Sequence, residues 1–284
     1  MTDLLIVTTR SRLRSVRAFP LMLVVTRRVR RQLAGTEGLV RWASVVSGPT
    51  EFWTITAWQS RHAMQEFMRS DAHGDIMWDF SKLLSSLWLV RWRPTERESG
   101  TWLGVTLAPH APEPIPPREF AWPNAATLPP LLSSSVGADG RISFESSPEA
   151  RFARSQIKGV GGAVLAVQTS RLKAPMALRR LAKQRKQMFS DPALLRSVVG
   201  LGTGGACYLL SVWRTPADAA RLIEGDWATE MKERYGERFW GNEWTPESEF
   251  GNWDGLRLRG EQIRVPHQPG GGLSPAVQPR DPAD

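Results

Sequence analysis

The feature that most constrains the fold of this 284-residue chain is an internal repeat. Four segments of the first half return in the same order in the second half: 11–13 as 170–172, 39–46 as 194–201, 53–67 as 208–222, and 100–107 as 251–258. In the longest match Trp58 falls on Trp213, and Asp71 falls on Asp226 at the same spacing. Several matches in one order predict two copies of one structural unit.

Each copy is predicted to fold in the order β-α-β-β-α-β. In the first copy, 4–9 is typical of a strand, and a helix is predicted from Val16 to Leu33, with Pro20 in its first turn and Gly35 just beyond its end. The other elements are predicted at 39–48, 52–58, 61–84 and 87–92, and in the second copy at 163–170, 174–189, 194–200, 206–213, 216–236 and 249–258. This order predicts an α+β fold with two ferredoxin-like units, whose antiparallel sheets commonly pack into one closed barrel.

The domain organisation is predicted to have four parts. The first unit covers 1–107, a connecting segment covers 108–158, the second unit covers 159–265, and 266–284 form a tail. Residues 94–150 carry ten prolines and are therefore predicted to lack regular structure. The tail is rich in proline and glycine and is predicted to be disordered.

The charge and the cysteine content restrict the function classes. The net charge is +9, but the basic residues are scattered through both halves, so a nucleic-acid partner is not predicted. The one dense cluster, at 26–32, follows an apolar segment at 18–25 and favours weak peripheral contact with an anionic membrane surface. A single cysteine, no apolar run near the ~20 residues of a membrane span and no signal-peptide pattern predict a cytoplasmic protein.

Motifs for nucleotide, metal and hydrolase chemistry are not indicated. The glycine-rich segment 200–205 joins two predicted strands, so it predicts a turn and not a phosphate loop leading into a helix. No two histidines have the spacing of metal ligands, and the sequence has no Cys-x-x-Cys or Gly-x-Ser-x-Gly. The thirteen tryptophans either line a pocket for a large apolar ligand or form ordinary core.

His73 is the candidate reactive residue. Ser70 is a natural N-cap, which places His73 in the first turn of a helix. One apolar stripe at helical spacing then begins with the histidine and contains His73, Ile76, Met77, Phe80, Leu83 and Leu84. Burial lowers the pKa of an imidazole and leaves it neutral and able to coordinate a metal. The alternative is a core histidine whose nitrogens only satisfy backbone groups.

The segments described above resemble the dimeric α/β-barrel superfamily of small monooxygenases and haem proteins. The first unit, with TITAWQSRHAMQEFMRSDAHGDIM at 54–77, is similar to antibiotic-biosynthesis-monooxygenase-type domains. The whole chain resembles the tandem-domain spheroidene (carotenoid) monooxygenase-like family. That second resemblance rests on the two units, on the Ser-Arg-Leu segments, and on ERYGERFW at 233–240 followed by GNWDG at 251–255.

The resemblance implies a monooxygenase, haem-dependent, that oxidises a bulky hydrophobic substrate of the terpenoid, carotenoid or polyketide-like kind. The histidine that the family carries in the second unit is replaced here by Ala228, which falls on His73 in the repeat, so the implied axial iron ligand moves to His73. Phe67, Met77 and Phe80, with Trp58 nearby, would surround the macrocycle. Arg12 and Arg171, matched at the ends of the first strands, would pair with its propionates or are ordinary strand-end arginines.

Two other functions stay open at this point. One is a cofactor-independent oxygenase or isomerase, in which His73 would be a base or a core residue. The other is a non-catalytic protein that binds a hydrophobic ligand. A tandem chain can close the barrel by itself, so both a monomer and a homo-oligomer agree with the sequence.

Overall fold

The structure is a computed structural model, and it describes residues 4–70, 73–74, 80–108, 132–136, 142–146, 159–254, 256, 258 and 261–262. The strands are β1 (Leu5–Leu13), β2 (Leu39–Val46), β3 (Glu51–Trp58), β4 (Leu84–Gly100), β5 (Leu132–Val136), β6 (Ile142–Ser146), β7 (Gly161–Val167), β8 (Leu194–Gly202), β9 (Cys207–Trp213), β10 (Phe239–Gly251) and β11 (Glu261–Gln262). The helices within the described residues are α1 (Phe19–Ala34), α2 (Arg61–Arg69), α3 (Ala174–Met188), α4 (Pro216–Glu224) and α5 (Asp226–Tyr235).

Eight antiparallel strands close into a barrel. Their order is β10-β7-β9-β8-β2-β3-β1-β4, and β4 pairs with β10 to complete the ring. The two units meet at this β4–β10 pair and at a second seam, where Val45 of β2 pairs with Gly202 of β8. The predicted α+β fold of two ferredoxin-like units in one closed barrel is therefore confirmed. Among the described residues, no helix has both the length and the apolar character that crossing a membrane requires.

The helices begin and end where local chemistry favours it. In α1, Pro20 occupies the second position, and Gly35 caps the end, as the sequence predicts. The hydroxyl of Ser60 accepts a hydrogen bond from the Ala63 amide at the start of α2, and Thr215 caps α4 in the same way. Equivalent residues of the repeat therefore set equivalent helix starts.

Tryptophans fill the interior of the barrel. Trp53 and Trp88 pack edge to face with ring centroids 5.9 Å apart, and Trp102 stacks on Trp240 at 4.7 Å with an interplanar angle of 9°. All four are buried and belong to one core cluster that both units share. The barrel interior is thus packed core, and the functional layer has to be sought outside the barrel, under the helices.

Two strands differ from the sequence prediction. The last strand of the first unit was expected at 87–92 and that of the second at 249–258, whereas β4 and β10 run from Leu84 to Gly100 and from Phe239 to Gly251. The long strands arise because β4 and β10 pair with each other along most of their length. Register shifts in β10 lie on both sides of Trp244, which pairs with Pro94, so a proline is tolerated at this position.

The repeated Gly-x-Trp-x-Gly segments are turns that follow these strands. Trp102 bridges Val105, and Trp253 bridges Leu256. Within 94–150, the end of β4 and the strands β5 and β6 contradict the expectation that this segment lacks regular structure. The tail at 266–284 lies outside the described residues.

Candidate functional site

The two units differ in the layer between sheet and helices. In the second unit, Leu209 of β9 pairs with Leu165 of β7 and with Val199 of β8, and the row packs against helix residues in one continuous apolar cluster. The same row of the first unit is formed by Thr54, which pairs with Thr9 of β1 and Ser44 of β2. Three hydroxyls, here called the hydroxyl row, thus replace three aliphatic side chains.

The hydroxyl row faces the helices, because successive side chains of a strand point to opposite faces and the neighbouring Thr8 accepts a hydrogen bond from Trp92 inside the barrel. All three residues of the row are half-buried. Within the described part of the chain, none of their hydroxyls has a hydrogen-bond partner. Half-buried hydroxyls that bind no described group stay available to water or to a ligand.

Apolar side chains lie on both sides of the row in two separate clusters. The first, called the Phe67 cluster, consists of Leu5, Val7, Leu33, Trp58, Met64 and Phe67. The second, called the Phe52 cluster, consists of Leu13, Met22, Phe52, Leu84 and Leu87. Along β1, Thr9 and Ser11 separate the two clusters, so this layer has a polar strip between two apolar ends.

His73 lies at the Phe67 cluster. Its ring packs against Phe67 with centroids 4.4 Å apart, and Phe67 in turn packs against Trp58 at 5.1 Å. His73 is only 8% exposed, and its buried Nδ1 has no hydrogen-bond partner among the residues that the structure describes. The predicted cap is confirmed, since the Ser70 hydroxyl accepts a hydrogen bond from the His73 amide at 3.3 Å.

Burial determines the charge of His73. It lowers the pKa of the imidazole from 6.5 to about 4, because the surrounding apolar groups cannot solvate the cation. The ring is therefore neutral at neutral pH and keeps a lone pair available. A neutral imidazole can coordinate a metal or accept a proton.

Trp58 lies near His73, as the sequence predicts, because both rings pack against Phe67. Its indole nitrogen already forms a hydrogen bond. The indole Nε1 donates to the hydroxyl of Thr56 at 2.9 Å, and in the second unit Trp213 donates to Ser211 at 2.8 Å. The pair of hydrogen bonds is a feature of the repeat. Trp58 consequently contributes a fixed apolar surface to the site.

The other predicted site residues do not gather around His73. Phe80 packs against the Phe52 cluster, across the polar strip from Phe67. Met77 lies outside the described residues. The sequence pattern could not separate the two clusters, because it puts all of these residues at the spacing of one helical face.

The predicted propionate partners lie away from this layer. Arg12 is seven residues along β1 from Leu5, about 23 Å at the rise of a strand, and its guanidinium is 3.7 Å from Asp254. Arg171 is exposed in the second unit, before α3. Their matched positions in the repeat place the two arginines in different units.

Arg91 is a residue of this layer that sequence reasoning missed. It follows Leu87 and Leu89 on the outer face of β4 and pairs with Val7 of the Phe67 cluster. Its Nε is buried without a hydrogen-bond partner, and no carboxylate among the described residues pairs with it. Burial, together with the charge of Arg61, lowers the pKa of Arg91. The sequence did contain a signal for Arg91: along β4, every second residue on this face is apolar until an arginine takes such a position.

A different cleft lies at the other end of the barrel. Its volume is about 480 Å³, and its charged lining residues include Glu51, Arg185, Arg196 and Asp254. These groups are already engaged: Arg196 donates to the Asp254 carbonyl at 3.0 Å, Arg185 donates to Ser197, and Glu51 binds the buried Arg10 at 3.1 Å. No cluster of three or more metal-ligating side chains occurs in the part of the chain that the structure covers.

Comparison with known proteins supports the fold. No family model and no curated protein matches the sequence. Among solved structures, aldoxime dehydratase is similar over 86% of this chain and 82% of its own, with a TM-score of 0.50 and 10% identity. At this identity the likeness shows a shared fold and leaves the reaction open.

Two further solved structures are similar at lower TM-scores. A proposed monooxygenase from Fusobacterium nucleatum covers 86% of this chain and 93% of its own, with 6% identity and a TM-score of 0.33. SnoaB, a cofactor-independent oxygenase from Streptomyces nogalater, covers 31% of this chain and 90% of its own, with 14% identity and a TM-score of 0.28.

Proposed function

We propose that this protein is a monooxygenase whose reaction takes place in the first unit, between the sheet and its helices. The proposed substrate is a bulky apolar molecule of the terpenoid, carotenoid or polyketide-like class, and the proposed cofactor is a haem with His73 as its axial ligand. The observation that carries this proposal is the buried, neutral imidazole of His73 with an unpartnered nitrogen.

Comparison with the second unit supports a ligand-binding role for this layer of the first unit. There the equivalent positions hold Ala228, Leu165, Leu209 and Val199, which pack as ordinary core. The first unit has the same fold but exchanges each of these for a polar side chain. Because the polar residues reduce the packing of that layer, a ligand is the simplest reason for their presence.

The residues present fit a haem in their chemistry. A neutral imidazole against the Phe67 ring is a group that could bind the haem iron, and the low polarity around it would suit the cofactor's apolar ring. Arg91, on the same outer face, pairs with no carboxylate among the described residues, so its cation suits a carboxylate of the cofactor. A bound haem would supply the iron that activates oxygen.

The remaining residues would bind and orient the substrate. The Phe67 and Phe52 clusters offer apolar walls and exclude water. The hydroxyl row between them offers donors and acceptors to one polar group of an otherwise apolar molecule. Packing against Phe67 holds the ring of His73 in one orientation.

The unpartnered Nδ1 of His73 also favours a second candidate, an oxygenase without a cofactor. In that case the same nitrogen would accept a proton from the substrate, whose own conjugated system would react with oxygen. The hydroxyl row and the apolar clusters would keep their binding roles. A non-catalytic protein for a hydrophobic ligand would use the same layer without the proton transfer.

The absorption spectrum separates these functions. The purified protein should show a Soret band, either as isolated or after titration with haemin. The band should be lost in His73→Ala and retained in the matched control His62→Ala, whose histidine is exposed on α2. Circular dichroism should show both variants folded.

Unchanged haemin binding in His73→Ala would overturn the assignment of the ligand. A protein that binds no haemin, but consumes oxygen with an aromatic polyketide-like compound, would establish the cofactor-free reaction. Binding of such a compound without turnover would support the third function, a non-catalytic protein that binds a hydrophobic ligand.

A further inference from the structure

The first half of α1 exposes aliphatic side chains to solvent. Leu21 is 53% exposed, and Leu23 and Val24 are each 47% exposed, directly after Val16 at 56%. Single exposed apolar residues are ordinary, but four within nine positions form a patch. Met22 and Val25 of the same turns are buried, so α1 has one face on the protein and a second apolar face outside.

The second half of α1 exposes only positive charge. Arg27, Arg28, Arg30 and Arg31 are all exposed, and none of them forms an ion pair with another residue that the structure describes. Residues 4–36 contain no aspartate or glutamate at all. The guanidinium of Arg30 lies over the ring of Trp42 at 5.5 Å, which leaves the other three free for an outside partner.

The equivalent helix of the second unit repeats this arrangement. Leu172, two residues before α3, is 92% exposed, and Met176 in the first turn of α3 is 62% exposed. Four exposed basic residues follow them: Arg179, Arg180, Lys183 and Lys186. Residues 159–190 again contain no acidic residue.

The barrel topology makes the strands beneath the two helices neighbours. Phe19 of α1 packs against Phe52 of β3, and Arg30 of α1 lies over Trp42 of β2. Helix α3 packs over β8 and β9. Because β2 pairs with β8, the strands beneath the two helices are neighbours at this seam. The outer faces of α1 and α3 are here together called the basic face.

We propose that the basic face docks on an anionic lipid bilayer. The aliphatic residues would enter the boundary between headgroups and acyl chains, and the arginines would contact lipid phosphates. A nucleic acid would engage the charges but has no use for the aliphatic patch. A second copy of this chain would bring like charges together, which disfavours self-association through this face.

Flotation with vesicles tests this interaction. The protein should bind vesicles of phosphatidylcholine containing one third phosphatidylglycerol, fail to bind pure phosphatidylcholine, and be released by high salt. The double variant Arg27→Gln with Arg28→Gln should bind at least about tenfold more weakly. Leu21→Gln with Leu23→Gln should also weaken binding, because the aliphatic insertion is lost.

The matched control is Arg234→Gln with Arg238→Gln, which removes the same charge outside the basic face and should bind normally. No binding to anionic vesicles, or an equal loss in the control, would overturn the proposal. Duplex DNA that binds more tightly than vesicles, with no effect of the leucine variant, would point instead to a nucleic acid. A dimer that the leucine variant abolishes, in a protein that ignores vesicles, would assign the patch to self-association.

Discussion

His73 and Ala228 occupy the same position in the two units of the barrel. The His73 amide donates to the Ser70 carbonyl at 3.0 Å, and the Ala228 amide donates to the Gly225 carbonyl at 3.0 Å. Both side chains are buried. One backbone geometry therefore presents an inert methyl group in the second unit and a titratable ring in the first, and this contrast leads to the predictions below.

The pH dependence of stability should report the buried imidazole. The folded-state pKa of His73 is about 4 and its ordinary value is 6.5, so the unfolded chain binds the additional proton between these values. Stability is therefore complete above pH 6.5 and falls as the pH drops toward 4, by about 3 kcal/mol in total. Urea unfolding at several pH values should show a flatter dependence in His73→Leu than in His62→Leu. Equal slopes in the two variants would mean that His73 is not the group that titrates.

The hydroxyl row should affect binding more than stability. Thr54→Val removes a half-buried hydroxyl that has no partner among the described residues, so it should change the free energy of unfolding by less than about 0.5 kcal/mol, while ligand or haemin binding weakens. The matched change Thr56→Val removes a hydroxyl that accepts from Trp58 and donates to the Val7 carbonyl, so it should lower stability by about 1–2 kcal/mol. Thermal unfolding of both variants checks this, and a loss of stability in Thr54→Val would show that its hydroxyl has a structural role.

The buried ion pair at the opposite end of the barrel should contribute strongly to stability. Arg10 is almost fully buried, and its guanidinium binds both carboxylate oxygens of Glu51. Glu51→Gln leaves that charge poorly compensated and should cost about 3 kcal/mol of unfolding free energy. The exposed pair of Arg234 and Glu230 offers the control, since Glu230→Gln should cost less than about 1 kcal/mol. Similar small losses in both would mean that Asp254 alone compensates Arg10.

The repeat allowed much of the fold to be predicted, and the reason is physical. Two copies with the same periodicity must bury equivalent faces, so the β-α-β-β-α-β order and the closed barrel followed from the sequence. Helix α1 and its end at Gly35 were predicted from local chemistry that needs no distant contact. The lengths of β4 and β10 were not predictable in this way, because they depend on pairing between the two units.

The candidate site was predicted only in its centre. His73, Phe67 and Trp58 lie together because they are close in the sequence, at the end of β3, in α2 and just after the end of α2. Arg12 was predicted as a site residue from its place in the repeat. In the structure it pairs with Glu51, at the end of β1 that lies away from Trp58. The hydroxyl row becomes visible only when the register of three strands is known, since Thr9, Ser44 and Thr54 lie far apart in the chain.

Arg91 should be required for the ligand and not for the fold. Its guanidinium is partly buried beside Arg61 and lacks a carboxylate partner among the described residues, so Arg91→Met should keep or slightly raise the free energy of unfolding, by up to about 1 kcal/mol. If an anionic group of the cofactor or substrate pairs with it, the same change should weaken binding about tenfold. Arg93→Met is the matched control on the same strand face, and it should lower stability because Arg93 pairs with Glu247 at 3.1 Å. Titration with haemin, read with thermal unfolding of both variants, measures the two effects, and unchanged affinity in a stable Arg91→Met would remove this arginine from the site.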